Sequence, residues 1–311
     1  MRVLLIALFF CGPLLAQARV YESAFGENTL AKCDVILHAT ASAVRKSLGG
    51  AISVDLTVQD VIWGEEKAKE VKLIYTDKTL LKEGESVEGL FALKALAGQG
   101  YSPVGRPVAL SNGDGERSSK IAVCRAFIEL EQQEAGEDRL RAFEDLLAYH
   151  LSLGGYPGRN AAVELMLWVA RKPGQVTRAR FDRFKTLLAS ARQALDNRTR
   201  QDVQLALQGM VETRLKNDCF REARRGKAKA DRVKAIAELA EFVKEYPRAF
   251  VEADAKLADA MAKECQDGET ARTALEDLAS EIRRELRARQ IEEEARRAEE
   301  EERGRHAQGD K

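Results

Sequence analysis

Histidine is nearly missing from this chain: three residues in 311. That scarcity removes much of zinc and triad chemistry, because imidazole is the commonest metal ligand and a frequent general base. No Gly-x-Ser-x-Gly, no His-Glu-x-x-His and no phosphate-cradling glycine loop occurs. Cys-x-x-Cys is absent as well, which disfavours a dithiol redox enzyme. There is no net charge to draw the chain to a polyanion, since 50 Lys and Arg balance 50 Asp and Glu. Past residue 18 no run is apolar enough to span a bilayer, a task that takes about 20 residues. The expectation is a chain with no cofactor, no metal, no nucleic-acid partner and no transmembrane segment once its leader is removed.

What is present begins with an address. Residues 1–18, MRVLLIALFFCGPLLAQA, join one cation (Arg2), an apolar core and the small-x-small ending Ala16–Ala18, the layout of a secretory signal peptide cleaved after Ala18. Pro13 and Gln17 interrupt this stretch as a membrane anchor, and Phe10 precedes Cys11 where lipid attachment wants a small residue. The protein is therefore expected to be periplasmic or extracellular. Cys33, Cys124, Cys219 and Cys265 then remain in an oxidising compartment that favours pairing. Pairing within domains, Cys33–Cys124 and Cys219–Cys265, is the simplest of the three connectivities. Either closed loop would add about 4 kcal/mol in the chain-entropy model.

The first half is rich in β-branched residues and glycine, and the second in Ala, Leu, Glu and Arg. Strands are expected over 34–44, 53–63, 71–75, 87–93, around Tyr101–Val104 and over 121–128, which fits an all-β barrel or sandwich in a domain spanning 19–132. In SVDLTVQDVIWG, Val54, Leu56 and Val58 share one face while Val61 and Trp63 fall on the other parity. One extra residue at Gln59–Asp60 makes a β-bulge, which bends a strand as closing a small barrel requires and lets Val58 and Val61 both face the core. CDVILHATASAV, ISVDLTVQDVIWGEE and LLKEGESVEGLFAL together resemble a module of exported bacterial proteins, in which a strand with V-x-x-V-x-x-G precedes a Gly-Glu turn and an aromatic-bearing strand. That module implies an OB-type barrel like those of netrin and metalloprotease-inhibitor modules, over residues 31 to 128. The inhibitors insert an N-terminal cysteine at a metal. Here Cys33 sits just before the first strand, so that activity does not carry over.

Beyond residue 136 the hydrophobic period becomes helical. Seven helices are expected: 137–153, 160–172, 178–192, 198–216, 230–246, 249–265 and 269–303. Short connections imply antiparallel hairpins, so 137–280 reads as an all-α, repeat-like domain. AIAELAEFVKEYPRAFVEADAKLADAM (235–261) resembles one tetratricopeptide hairpin through Phe242, the Tyr246–Pro247 turn and its small alanines, and the helices before it are loosely HEAT-like. The tail 281–311 carries Glu–Arg pairs in the favourable i,i+4 order (Glu285–Arg289, Glu292–Arg296, Glu293–Arg297, Glu299–Arg303, Glu301–Arg305), each contributing about 0.2–0.5 kcal/mol. It reads as a projecting, partly disordered helix whose polar end frays from Gly304; a partner-binding or coiled-coil role is the alternative.

No residue is assigned a catalytic role. His38 and His150 read as satisfied or solvent-facing. GGYPGRN (154–160) reads as an interhelical loop, and SNGDGE (111–116) as a hairpin turn in preference to a calcium loop. Asp55, Asp60 and Asp77 are the only strand-adjacent acids for a hydrolase working through the barrel. The stretch 214–234 holds nine cations against three acids. It reads as a solvated interhelical connection facing an acidic headgroup or cell-wall polymer, with Arg221, Arg224, Arg225, Lys227 and Lys229 as the candidate interaction surface. The leading expectation is an α+β exported binding or scaffold protein whose partner is another envelope or extracellular protein. A hydrolase or protease inhibitor acting through the barrel, and a tail-mediated oligomer, are the alternatives.

Overall fold

The computed structural model describes residues 25–46, 52–75, 86–97, 100–105, 107–110, 114–191 and 193–309. The leader segment 1–18 and Asp77 lie outside them.

After a single helical turn, α1 (Glu27–Leu30), come β1 (Val35–Lys46), β2 (Ile52–Trp63), β3 (Glu70–Tyr75), β4 (Val87–Leu96), β5 (Gly100–Pro103) and β6 (Val108–Ala109). The first five close on themselves in the order β1-β2-β3-β5-β4-β1, with β6 added beside β4. All pairings are antiparallel except β3 to β5, where Leu73 stands opposite Tyr101. Alternation decides which side chains fill the barrel: Val35, Leu37, Ala39, Val54, Leu56 and Leu73 lead its buried core. Each large one fully buried contributes about 1.5–3 kcal/mol.

The irregular rhythm of β2 is resolved by two extra residues. Ile36 pairs with Trp63 and Leu37 with Val61, so Ile62 has no opposite number; His38 pairs with Asp60 and Ala39 with Val58, so Gln59 has none. The bulge expected at Gln59–Asp60 is there, and Val58 and Val61 both pack on the barrel core.

Residues 121–128 are not a strand. They lie within α2 (Asp114–Glu131). The apolar run IAVCRAFI satisfies either period over so short a length, but Val123, Cys124, Phe127, Ile128 and Leu130 are buried at helical spacing. The helix begins at Asp114, so the described end of SNGDGE, Asp114–Glu116, is helical where a hairpin turn was expected, and 111–113 lie outside the described residues. Glu116 forms an i,i+4 ion pair with Lys120 at 2.8 Å. α2 lies over the outer face of β1 and β4, reaching His38 and Glu88 through Arg117. Ile36 and Leu90, on that outer face, are as buried as the interior.

Eight helices follow: α3 (Glu137–Leu153), α4 (Gly155–Arg171), α5 (Arg178–Ser190), α6 (Asn197–Met210), α7 (Lys216–Arg225), α8 (Lys229–Glu245), α9 (Glu252–Glu264) and α10 (Glu269–Gly309). α6 passes into α7 through a π-helical turn, Val211–Leu215, so the single helix expected over 198–216 runs on to Arg225. GGYPGRN is not a loop: α4 begins at Gly155, and Pro157 sits in its first turn, where a missing N–H costs nothing.

The chain divides into two compact units, Met1–Trp168 with Arg183–Gln204, and Val169–Asp182 with Leu205–Lys311. In the first, Phe127 of α2 meets Phe143 of α3 edge-on at 6.5 Å, and Phe143 meets Trp168 of α4 at 6.3 Å. The same unit pins the start of the described chain. Phe25 N–H donates to Asn160 Oδ1 at 3.0 Å, and Asn160 Nδ2 donates back to Phe25 O at 3.0 Å. A Cβ on the next residue, Gly26, would fall 1.8 Å from Glu164 Cδ, so any side chain there would have to displace the Glu164 carboxylate.

In the second unit Phe181 packs edge-on against Phe242 of α8 and Tyr246 just past its end. The Tyr246–Pro247 turn continues as a 3-10 turn, Pro247–Ala249, and small Ala255 and Ala258 on α9 are buried. α10 packs through Leu275, Leu278, Ala279 and Ile282. Ile291 is 67% exposed, which marks where its apolar seam has ended. Of the expected tail pairs, Glu285–Arg289, Glu292–Arg296 and Glu293–Arg297 are not formed among the described residues: Arg284 takes Glu285 at 3.6 Å, and Arg296 takes Glu300 at 3.8 Å. The side chains at 303 and 305 lie outside the described set.

Candidate functional site

The second unit holds a cleft of about 610 Å³ between the end of α7, the start of α8 and the α9–α10 connection. Its floor is apolar, from Ala223, Ile236, Met261 and Leu275, and its rim carries Arg224, Arg225 and Arg232 against Glu264 and Asp267. The local sequence explains the shape. α7 stops at Gly226, whose N–H bonds Glu222 O at 2.7 Å. A Cβ at Gly226 would come 2.6 Å from that carbonyl. Only three residues then separate α7 from α8, so the basic stretch 214–234 is mostly helix rather than a solvated connection.

Arg232 ties the two connections together. Its Nε donates to Asp267 Oδ2 at 2.6 Å, its Nη2 bonds Asp267 Oδ1, and its Nη1 donates to Gly226 O. The Arg232 guanidinium holds the Asp267 carboxyl below the usual carboxylate range. Arg224 reaches Glu264 at 3.1 Å, and Arg221 turns away to Asp218. Among the described residues Arg225, Lys227 and Lys229 have no ion pair. Of the five cations singled out in the sequence, Arg224 and Arg225 line the cleft, Lys227 and Lys229 flank it, and Arg221 belongs to a second cleft.

That second cleft, of about 430 Å³, is already internally matched. Arg178 stacks over Phe242 at 5.0 Å and pairs with Asp182 and Glu238, while the Cys219 thiol donates to Glu238 Oε2 at 3.5 Å.

The expected disulfides are not formed: all four cysteines are free thiols. Cys219 faces Glu238 in one cleft and Cys265 lines the other, so that pair is directed apart. Cys33 donates to Leu30 O at 3.8 Å, and burial pushes its thiol up to about 11. Cys124 is pushed up to about 12 by burial and, less strongly, by its neighbour Cys33.

In the barrel unit one carboxylate serves two basic side chains. Glu88 Oε1 accepts from His38 Nε2 at 2.7 Å and from Arg117 Nη2 at 2.6 Å. A carboxylate only accepts, so the ring nitrogen facing it carries the proton. His38 is thus buried and paired, not solvent-facing. His150 is buried too, beside Phe127 at 6.1 Å, and burial lowers its pKa. Asp55 lies across from Lys72 on β3, and Asp60 reaches Arg125 at 3.9 Å, so the two do not converge on one cleft. Tyr101 OH donates to Glu66, which pushes the phenol up to about 12 and lowers Glu66. No cluster of three metal-ligating side chains occurs among the described residues, nor is any helix there long and apolar enough to cross a membrane.

Comparison with protein-family models, with curated proteins and with solved structures finds no match to this chain.

Proposed function

We propose that this is an exported, non-catalytic binding protein whose helical unit takes an acidic segment of an envelope or extracellular protein. One observation carries the reading: an apolar floor of Ile236, Met261 and Leu275 lies beneath a rim whose Arg225, with Lys227 and Lys229 beside it, has no carboxylate of its own. Binding sites combine such a buried apolar centre with polar rim groups that set orientation and partner sign. The α8–α9 hairpin supports a tetratricopeptide-like unit, with its Phe242, its Tyr246–Pro247 turn and its buried alanines. The strand order β1-β2-β3-β5-β4-β1, with a parallel β3–β5 contact, supports an OB-type barrel.

The test is fluorescence anisotropy of the 19–311 chain with a labelled peptide alternating Glu and Leu. Saturable binding that weakens with salt, and at least tenfold in the Arg225→Glu/Lys227→Glu double variant, is expected. Both side chains are exposed, so the variant folds. Binding indifferent to the double variant would reject this cleft as the site.

A further inference from the structure

A third cleft, of about 450 Å³, is lined by Arg248, Arg289, Glu292, Glu293 and Arg296. Arg248 stands exposed on the turn between α8 and α9, while Arg289 is half-buried on α10. Arg289 commits one donor to the protein, Nη2 to Phe250 O at 2.9 Å, and its covered Nε has no acceptor among the described residues. No carboxylate there forms an ion pair with Arg248 or Arg289; Glu285 turns to Arg284, and Arg296 to Glu300. Glu285 and Glu293 act on Arg289 only from a distance. Burial, and next the charge of Arg248, lower the Arg289 pKa, so the fold holds two guanidiniums together against their repulsion.

We propose that Arg248 and Arg289 form a binding site for a single phosphate group, free or carried on a lipid headgroup. Two unmatched guanidiniums offer two positive charges and a planar array of N–H donors, which a phosphate dianion matches in charge and geometry. A lone carboxylate would neutralise only one of them. Glu292 and Glu293 also line the cleft, and their charge disfavours a larger polyanion.

The test is calorimetric titration of the 19–311 chain with inorganic phosphate, against sodium chloride at equal ionic strength. Saturable binding is expected, weakened at least tenfold in both Arg248→Gln and Arg289→Lys, the latter keeping the charge and losing the fork. Arg248 is exposed, so its variant should melt like the parent, and loss of binding there cannot be ascribed to unfolding. Sedimentation with phosphatidic-acid vesicles separates the sources. Co-sedimentation lost in Arg248→Gln assigns the phosphate to a lipid; phosphate binding without sedimentation assigns it to a free ion. Heats no different from chloride, or a full-affinity Arg248→Gln, overturn the site. Neither outcome depends on the acidic peptide binding at the other cleft.

Discussion

Single side chains in this protein are sharply differentiated by burial. Cys33, Cys124 and Cys219 are buried thiols raised to about 11, 12 and 12, whereas Cys265 is half-exposed in the basic cleft. Thiolate is the reactive form, so a disulfide reagent should label Cys265 first on the native protein, and all four only after denaturation. Native labelling of all four at one rate would contradict this packing. His150 sets a pH dependence. Its pKa is lowered from 6.5 by burial, so above 6.5 folded and unfolded states are both neutral and it costs nothing. As pH falls through 6.5 the unfolded chain takes up the proton first, and stability declines. His150→Leu should therefore show a smaller drop in melting temperature between pH 7 and pH 5 than the parent. Lys216 is the third case. It donates to Ala249 O at 2.6 Å and Asp254 Oδ2 at 2.7 Å, with side-chain exposures of only 8% and 11% for the pair. Lys216→Met would leave Asp254 charged and buried, a loss of about 3–5 kcal/mol in urea unfolding.

At the scale of elements, α10 contains its own boundary. Ile282 is fully buried, and Arg283 binds Asp259 and Glu252, but past Arg289 the one large apolar side chain, Ile291, is exposed. A chain ending at Gln290 should unfold at the parent's midpoint. One ending at Ser280 loses Ile282 and the Arg283 pairs, a cost of about 2–5 kcal/mol. The elements also show what a sequence discloses. The helical stretches past residue 136 were legible because each carries several turns of apolar period, and the bulge at Gln59 because alternation visibly breaks there. IAVCRAFI was not legible: eight residues with Val, Cys, Phe and Ile at mixed spacing satisfy a strand, and only the burial of Val123, Cys124, Phe127 and Ile128 at helical spacing reveals the helical face. The π-turn at Val211–Leu215 leaves no trace in periodicity, since one extra residue per turn is absorbed without a breaker.

For the molecule as a whole, the basic residues of the candidate cleft were visible as a run, but the cleft was not. It depends on Arg232 meeting Asp267 and Arg224 meeting Glu264, partners 35 and 40 positions apart. The disulfide expectation failed for a related reason, because compartment and spacing say nothing about which way Cys219 and Cys265 point. With no apolar seam beyond Ile291, sedimentation velocity should show the same monomeric species for the full chain and for one ending at Gln290; a dimer lost on truncation would make the tail an assembly element. The reciprocal bonds between Phe25 and Asn160 span 135 residues. A chain made N-terminus first cannot complete them until α4 has been synthesised, so its opening segment waits unsecured while all six strands emerge. Closing so long a loop is slow. The final locking of this unit is accordingly set by when its later helix arrives, and Asn160→Ala should delay that last step more than it slows the pairing of β1 with β2.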